Sequence, residues 1–269
     1  MESRKQQEQQ FHDKVRNPSL RQNSDEFEHF WSNRKFYSIA RKSTKFWEDW
    51  VLQRCKGKKV LDYCCGNGGV SIFLAKHGAD VIGIDISEVS IDTCRQSAIR
   101  ERVDGNTVFY VMDAEKMKFD NASFDIIVCM GVLHHLDVRL AFPELARVLK
   151  PDGEIFCGEP LAYNPLIQWY RKRTPHLRTQ WEAEHILTFR DLDLAQKSFA
   201  RIDIKFFNLA TLAAVPFRNT PWFDALLGML EVIDEVMLKL PVVQKLAWMI
   251  FFSLSIPHKP SLFVDAKKR

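Results

Sequence analysis

The residues best placed to do chemistry are three aspartates and a knot of glycines. Asp62 closes an apolar segment, and the turn Cys64-Cys-Gly-Asn-Gly-Gly69 follows it at once. A helix-forming stretch, Val70-Ser-Ile-Phe-Leu-Ala-Lys76, leads on, and a second apolar segment, Val81-Ile-Gly-Ile84, ends in Asp85. This is the layout of a βαβ unit shaped to hold a nucleoside, with the second acid placed to accept hydrogen bonds from ribose hydroxyls. Dinucleotide sites need G-x-G-x-x-G, because the backbone must come close to a pyrophosphate at a helix N-terminus. Here the glycines are Gly66, Gly68 and Gly69, and Ser71 stands at the third fingerprint position. A carboxylate at Asp62, directly before the turn, would repel a pyrophosphate and could accept bonds from an ammonium group.

S-adenosylmethionine (SAM) carries an ammonium and a sulfonium and no phosphate. The segment resembles the class I SAM-dependent methyltransferases, whose first motif reads acid-x-Gly-x-Gly-x-Gly. It departs from them at Cys64, which stands where the first glycine usually sits. Cysteine lacks glycine's freedom at positive φ, so the turn is expected to be tight but not left-handed there. Three further segments extend the resemblance. Asp113-Ala114 looks like the acid-plus-small pair that faces the adenine amine. Phe124-Asp-Ile-Ile-Val-Cys-Met-Gly-Val-Leu-His-His-Leu136 is similar to the fourth-strand motif of the ubiquinone- and menaquinone-biosynthesis branch. Leu145-Ala-Arg-Val-Leu-Lys-Pro-Asp-Gly-Glu154 resembles its next signature. Together they cover residues 58–160 in order. The resemblance implies SAM as cofactor, bound by Tyr37, Asp62, Cys64, Gly66, Asn67, Gly68, Asp85, Ile86, Asp113, Ala114 and Met130. Plain alternatives stand beside this: Asp62 as a cap of the following helix, Asp85 as an ordinary loop acid, and the histidine pair as packing under the cofactor.

The elements that must position these residues alternate. Strands are expected at 58–63, 80–85, 107–112, 124–129 and 154–157, with helices at 68–77, 88–102 and 138–149, and Pro151-Asp-Gly153 as a turn. That alternation implies a parallel doubly wound α/β sheet. Apolar groups at helical spacing from Phe27 to Val51 suggest two N-terminal helices split near Ser43-Thr44. A helix at 191–199 and a strand at 200–207 follow. Residues 222–255 read as two apolar helices broken at Pro241, and Ser261–Ala266 as a last strand. The resemblance implies a Rossmann-like seven-stranded sheet whose last strand is antiparallel, here with a helical insertion between strands six and seven. The expected divisions are an N-terminal helical cap (1–54), a SAM-binding core (55–160), an acceptor-side loop or lid (161–190), and completion of the sheet (191–269) around an insertion at 209–258.

Composition narrows the class without deciding it. The chain has 269 residues, 46% hydrophobic and 27% charged, with a net charge of +4. These are ordinary globular values and do not by themselves suggest a nucleic-acid protein. The six cysteines show no C-x-x-C pair and no His/Cys cluster at zinc spacing, so no metal site is expected; they read as reduced thiols of a cytoplasmic protein. The N-terminus has no apolar signal region. The apolar run Leu246–Ile256 is shorter than the roughly 20 residues that span a bilayer.

Methyl transfer asks the protein mainly to align acceptor, methyl and sulfur and to exclude water. A base matters only where the acceptor must lose a proton. His134, His135 and Tyr163 are the catalytic candidates, among a wider set with Tyr37, Glu159, Tyr170, His176 and His185. The basic and aromatic segment Trp169–Trp181 could grip an anionic small molecule or stack on nucleic acid. The apolar 222–256 region could wall a greasy acceptor, touch a membrane surface or form a homodimer. The sequence therefore points to a SAM-dependent methyltransferase acting on a small apolar or amphipathic molecule. The alternatives are a non-catalytic nucleoside-binding partner of the same fold, an NAD(P)-dependent oxidoreductase and an RNA methyltransferase.

Overall fold

The computed structural model describes residues 2–16 and 33–258. The helical periodicity at Phe27–Trp31 and the expected strand Ser261–Ala266 lie outside the described residues. Helix α1 is Glu2–Arg16, α2 is Arg34–Tyr37 and α3 is Arg41–Leu52; then come β1 (Lys59–Tyr63), α4 (Gly69–Lys76), β2 (Asp80–Asp85) and α5 (Glu88–Arg100). Next are β3 (Thr107–Val111), β4 (Phe124–Met130), α6 (Val138–Val148) and β5 (Leu149–Pro160). The remainder is α7 (Pro165–Arg173), α8 (Gln180–Glu184), α9 (Phe189–Ala195), β6 (Phe199–Phe207), α10 (Phe223–Met237), α11 (Pro241–Gln244) and β7 (Met249–Pro257).

Seven strands form one sheet in the order β3-β2-β1-β4-β5-β7-β6. The first five are parallel, and β7 runs antiparallel between β5 and β6. Alternate residues face opposite layers. Val60, Ile126 and Val128 pack with Val51 of α3, Leu74 of α4 and Ile91 of α5. Leu61, Ile127 and Cys129 pack with Phe142 and Leu145 of α6 and Leu192 of α9. Both faces are thus covered, as a parallel sheet requires. The strand order reverses between β1 and β4, which opens a crevice at their carboxyl ends, the place where open α/β sheets bind ligands.

Three expectations need correction. The second apolar helix of the 222–255 region is only the single turn α11, and Met249–Pro257 is strand β7. Its first four residues are all buried, because β7 is an interior strand covered on both faces; the alternation that marks a half-buried strand is therefore missing. The insertion accordingly ends at Trp248 rather than 258. Ser43 and Thr44 lie inside α3 instead of capping it, and the Ser43 hydroxyl donates back to Ala40 O at 2.9 Å. Pro151–Gly153 belongs to β5, as an irregularity in its register with β4 rather than a free turn.

Buried acids tie the insertion to α3 and hold it together internally. Glu231 of α10 receives two bonds from the Arg41 guanidinium, at 2.7 and 2.9 Å. Asp234 accepts from the backbone nitrogens of Leu209, Ala210 and Thr211 and from the Thr211 hydroxyl. The opposite side of α10, including Met229, Val232 and Val236, is exposed. Among the described residues no helix is long and apolar enough to cross a membrane.

Candidate active site

The turn after β1 reverses the chain within a few residues. Cys64 has φ 58°, Gly66 53° and Gly68 79°. The expectation of a right-handed Cys64 is thus overturned. The turn's path needs a left-handed residue there, and the chain tolerates a side chain at a cost of about 1–2 kcal/mol. Gly68 has a second reason to lack a Cβ, which would stand 2.9 Å from Cys94 Sγ.

Asp85, at the end of β2, holds this turn from the side. Its Oδ2 accepts from Gly66 N at 2.9 Å and its Oδ1 from Ser87 N at 2.9 Å, so the carboxylate is fixed and 3% exposed. Asp113 follows β3 and accepts from Glu115 N at 2.9 Å, while Ala114 O accepts from the Tyr63 hydroxyl at 2.8 Å. Cys64, Asp85, Ile86, Asp113, Ala114 and His135 line one cavity above the strand ends.

Helix α1 lies over that cavity. Arg16 Nη1 is 3.1 Å from Asp85 Oδ2, Lys5 Nζ is 2.5 Å from Asp113 Oδ2, and Arg4 Nη2 is 2.5 Å from Glu115 Oε1. The side chains leave about 70 Å³ of free space, well below the roughly 300–1,000 Å³ of ligand pockets. The cations of α1 thus neutralise the acids that line this cavity. Sequence reasoning missed these groups. Their spacing at 4/5, 8, 12 and 16 is one helical stripe, but a helix whose only apolar groups are Phe11 and Val15 gives little amphipathic contrast to expose it.

Asp62 lies elsewhere. It is buried beneath the turn, accepts from Ser71 Oγ at 2.5 Å and lines neither cavity. Burial pushes its carboxyl up to about 6, against the bonds from Ser71. Gly66, Asn67 and Gly68 also stay out of both linings, although the Gly66 α-carbon faces the Arg16 guanidinium and Asn67 keeps a buried amide oxygen without a hydrogen-bond partner. An unpaired acceptor and a left-handed turn beside fixed carboxylates suit a nucleoside bearing ammonium and hydroxyl donors.

A second cavity of about 520 Å³ adjoins the first and shares His12, Arg16, Gly131 and His135 with it. Its walls include Phe36, Tyr37, Trp47, Met130, Tyr170 and Trp248, together with His134. His134 Nδ1 stands 2.6 Å from Glu159 Oε2. The other oxygen of Glu159 accepts from Val132 N at 2.7 Å and Leu133 N at 2.8 Å, so this wholly buried carboxylate fixes the Leu133–His135 turn and its ring together. Burial alone would lower the pKa of His134, but the carboxylates of Glu159 and Glu182 outweigh it and raise it.

The remaining candidates disperse. Tyr163 stacks on Phe189 and its hydroxyl accepts from Phe189 N at 3.1 Å, outside both cavities. His185 stacks on Trp181. The basic segment is partly turned inward: Arg171 pairs with Glu182 at 3.0 Å, and Arg178 is 7% exposed. Glu182 and these arginines line the larger cavity and were not anticipated together.

Residues 60–153 match the methyltransferase domain family. Over 102 residues the chain is 41% identical to the ubiquinone biosynthesis O-methyltransferase of Coxiella burnetii, covering 38% of this chain and 43% of that one. It is 35% identical over 105 residues to the 27-O-demethylrifamycin SV methyltransferase of Amycolatopsis mediterranei, covering 38% and 39%. The matched stretch thus spans less than half the length of these curated relatives. Among solved structures, geranyl diphosphate C-methyltransferase from Streptomyces coelicolor superposes with a TM-score of 0.56 at 15% identity, over 82% of this chain and 84% of that one. The PH0226 protein of Pyrococcus horikoshii gives 0.55 at 20%, over 81% and 91%. At those identities the structures speak for the fold alone. The motifs, the matched segment and the fold agree: residues 60–153 match a methyltransferase domain, and the chain resembles the class I SAM-dependent methyltransferases of the ubiquinone-biosynthesis branch.

Proposed function

We propose that the chain transfers a methyl group from SAM by direct displacement to a hydroxyl of a small, amphipathic molecule. The observation that carries this reading is the aromatic-walled cavity that adjoins the acid-lined one and holds the His134–Glu159 pair in its wall. In this reading Asp85 binds the ribose and Asp113 the adenine amine, flanked by Ile86 and Ala114, while Met130 faces the acceptor. The Cys64–Gly68 backbone and Asn67 face the methionine end, with Asp62 shaping the turn from below. Tyr37 and Trp248 close the acceptor side. Glu159 holds His134 with Nδ1–H toward the carboxylate, which leaves Nε2 to take the acceptor's proton. The O–H bond breaks toward His134 as the new O–C bond forms, and the C–S bond breaks to leave a neutral thioether. The exposed apolar side of α10 supports contact with a membrane surface from which a greasy acceptor is drawn.

The test is transfer of labelled methyl from SAM to a panel of apolar phenols, aliphatic alcohols, carboxylic acids and amines. Labelled ether products are expected, with turnover falling roughly 10²–10⁴-fold in His134→Ala and Glu159→Gln. Transfer to amines alone, untouched by either substitution, refutes the hydroxyl reading. Stoichiometric SAM binding with no transfer to any acceptor favours the non-catalytic partner instead.

A further inference from the structure

Glu8 and His12 stand one turn apart on α1 and so share a face. That face meets the Leu133–His135 turn, where Glu8 Oε2 is 3.0 Å from His135 Nδ1 and 3.6 Å from His12 Nε2. The three ligand atoms lie within 4.8 Å of one another. A tetrahedral ion with nitrogen and oxygen ligands at about 2.0–2.1 Å holds them roughly 3.3–3.4 Å apart, between the two observed separations. We infer that Glu8, His12 and His135 form a binding site for a divalent transition-metal ion of the zinc class.

Several features fit an ion here. Two imidazoles and one carboxylate are the donors such an ion prefers. The second oxygen of Glu8 accepts from the Thr179 hydroxyl, an outer bond of the kind that orients a ligating carboxylate. The cations of α1 are engaged elsewhere: Arg4 with Glu115, Lys5 with Asp113 and Glu115, and Arg16 with Asp85. The neighbouring triplet His134, His135 and Glu182 is less suited, since Glu159 occupies one ring nitrogen of His134 and Arg171 already neutralises Glu182. The site escapes a sequence reading because only Glu8 and His12 share a local spacing, while His135 comes from the far end of the matched domain.

Position gives the ion its use. His12 and His135 line both cavities, so the ion stands in the wall between cofactor and acceptor. Three protein ligands leave a fourth position open to an acceptor hydroxyl, whose proton the ion makes easier to lose. This use rests on the function proposed above; the ion site itself does not. Binding also pins α1 across the nucleoside cavity, so the ion couples closure of the helix to readiness for transfer.

The test is calorimetric titration of the chelator-stripped full chain with zinc chloride, without SAM, paired with the visible spectrum of its cobalt(II) form. One ion per chain and a tetrahedral cobalt spectrum are expected. Glu8→Gln, His12→Ala and His135→Ala should each weaken zinc binding at least tenfold, as losses at metal sites do, with helical circular dichroism retained. His77→Ala, which removes an exposed imidazole beyond the C-terminus of α4, should change nothing. Absence of zinc binding, or binding that survives all three ligand substitutions, overturns the site. Methyl transfer by a chain that binds no zinc overturns the site and leaves the proposed function standing. Zinc binding without transfer to any acceptor does the reverse.

Discussion

Replacing Asp62 by asparagine should stabilise the protein at neutral pH, against the usual outcome of altering a buried residue in a functional turn. The Asp62 carboxyl is 3% exposed, and burial moves its pKa from 3.8 to about 6 although Ser71 donates to it. In the unfolded chain the group ionises near 3.8, in the folded one near 6. Below both values it is protonated in each state and contributes nothing. Between them the unfolded chain has already released its proton, so rising pH favours unfolding, and above about 6 the whole penalty is present. At 1.36 kcal/mol per pKa unit, that penalty is about 3 kcal/mol. Asparagine does not titrate, and its carbonyl oxygen can still accept from Ser71. The advantage of Asp62→Asn over the parent should therefore grow by about 3 kcal/mol from about pH 3 to about pH 7.5, or roughly 6–12 °C in Tm. Urea and thermal unfolding of both proteins at several pH values measure it. A difference independent of pH, or one that shrinks as pH rises, refutes the reasoning. SAM titrations on the same pair distinguish the two roles of the residue. A carboxylate that grips the ammonium makes SAM bind more tightly as pH rises through 6 and loses affinity in the asparagine variant; a structural Asp62 does neither.

Asp85→Ala should weaken SAM binding by about 1.5–3 kcal/mol, the worth of one charged hydrogen bond, or roughly 10–150-fold in Kd by calorimetry; unchanged affinity removes Asp85 from the site. Its Tm should fall as well, because Gly66 N and Ser87 N lose their acceptor. Asp234→Ala leaves three backbone donors and a hydroxyl without the carboxylate, and should lower unfolding free energy by at least about 3 kcal/mol in urea titrations.

The parallel half of the sheet was legible because its strands end at a turn or an acid, and all but β3 hand over to a helix. The nucleoside crevice was legible for the same reason: Asp85 and Asp113 sit where two such strands stop. Met249–Pro257 was not, since an interior strand apolar on both faces has the same composition as a buried helix. Cys64 misled through its type, because local preference for right-handed φ yields to the path of the turn. The contribution of α1 was hidden by distance. Arg4, Lys5, Glu8, His12 and Arg16 acquire meaning only when the chain returns Glu115 and His135 to them, and no local pattern encodes that meeting.

The placing of β7 between β5 and β6 has a consequence for how the molecule is made. As the chain emerges from the ribosome, β1 to β5 can pair in order, but β6 arrives with its neighbour unmade. Its backbone donors and acceptors wait until residues 208–248 have followed and β7 slides between two strands already formed. Such late, non-local pairing is slow and leaves an open strand edge in the interval. A nascent chain paused within 208–248 is accordingly the species most exposed to aggregation, and the one a chaperone would hold.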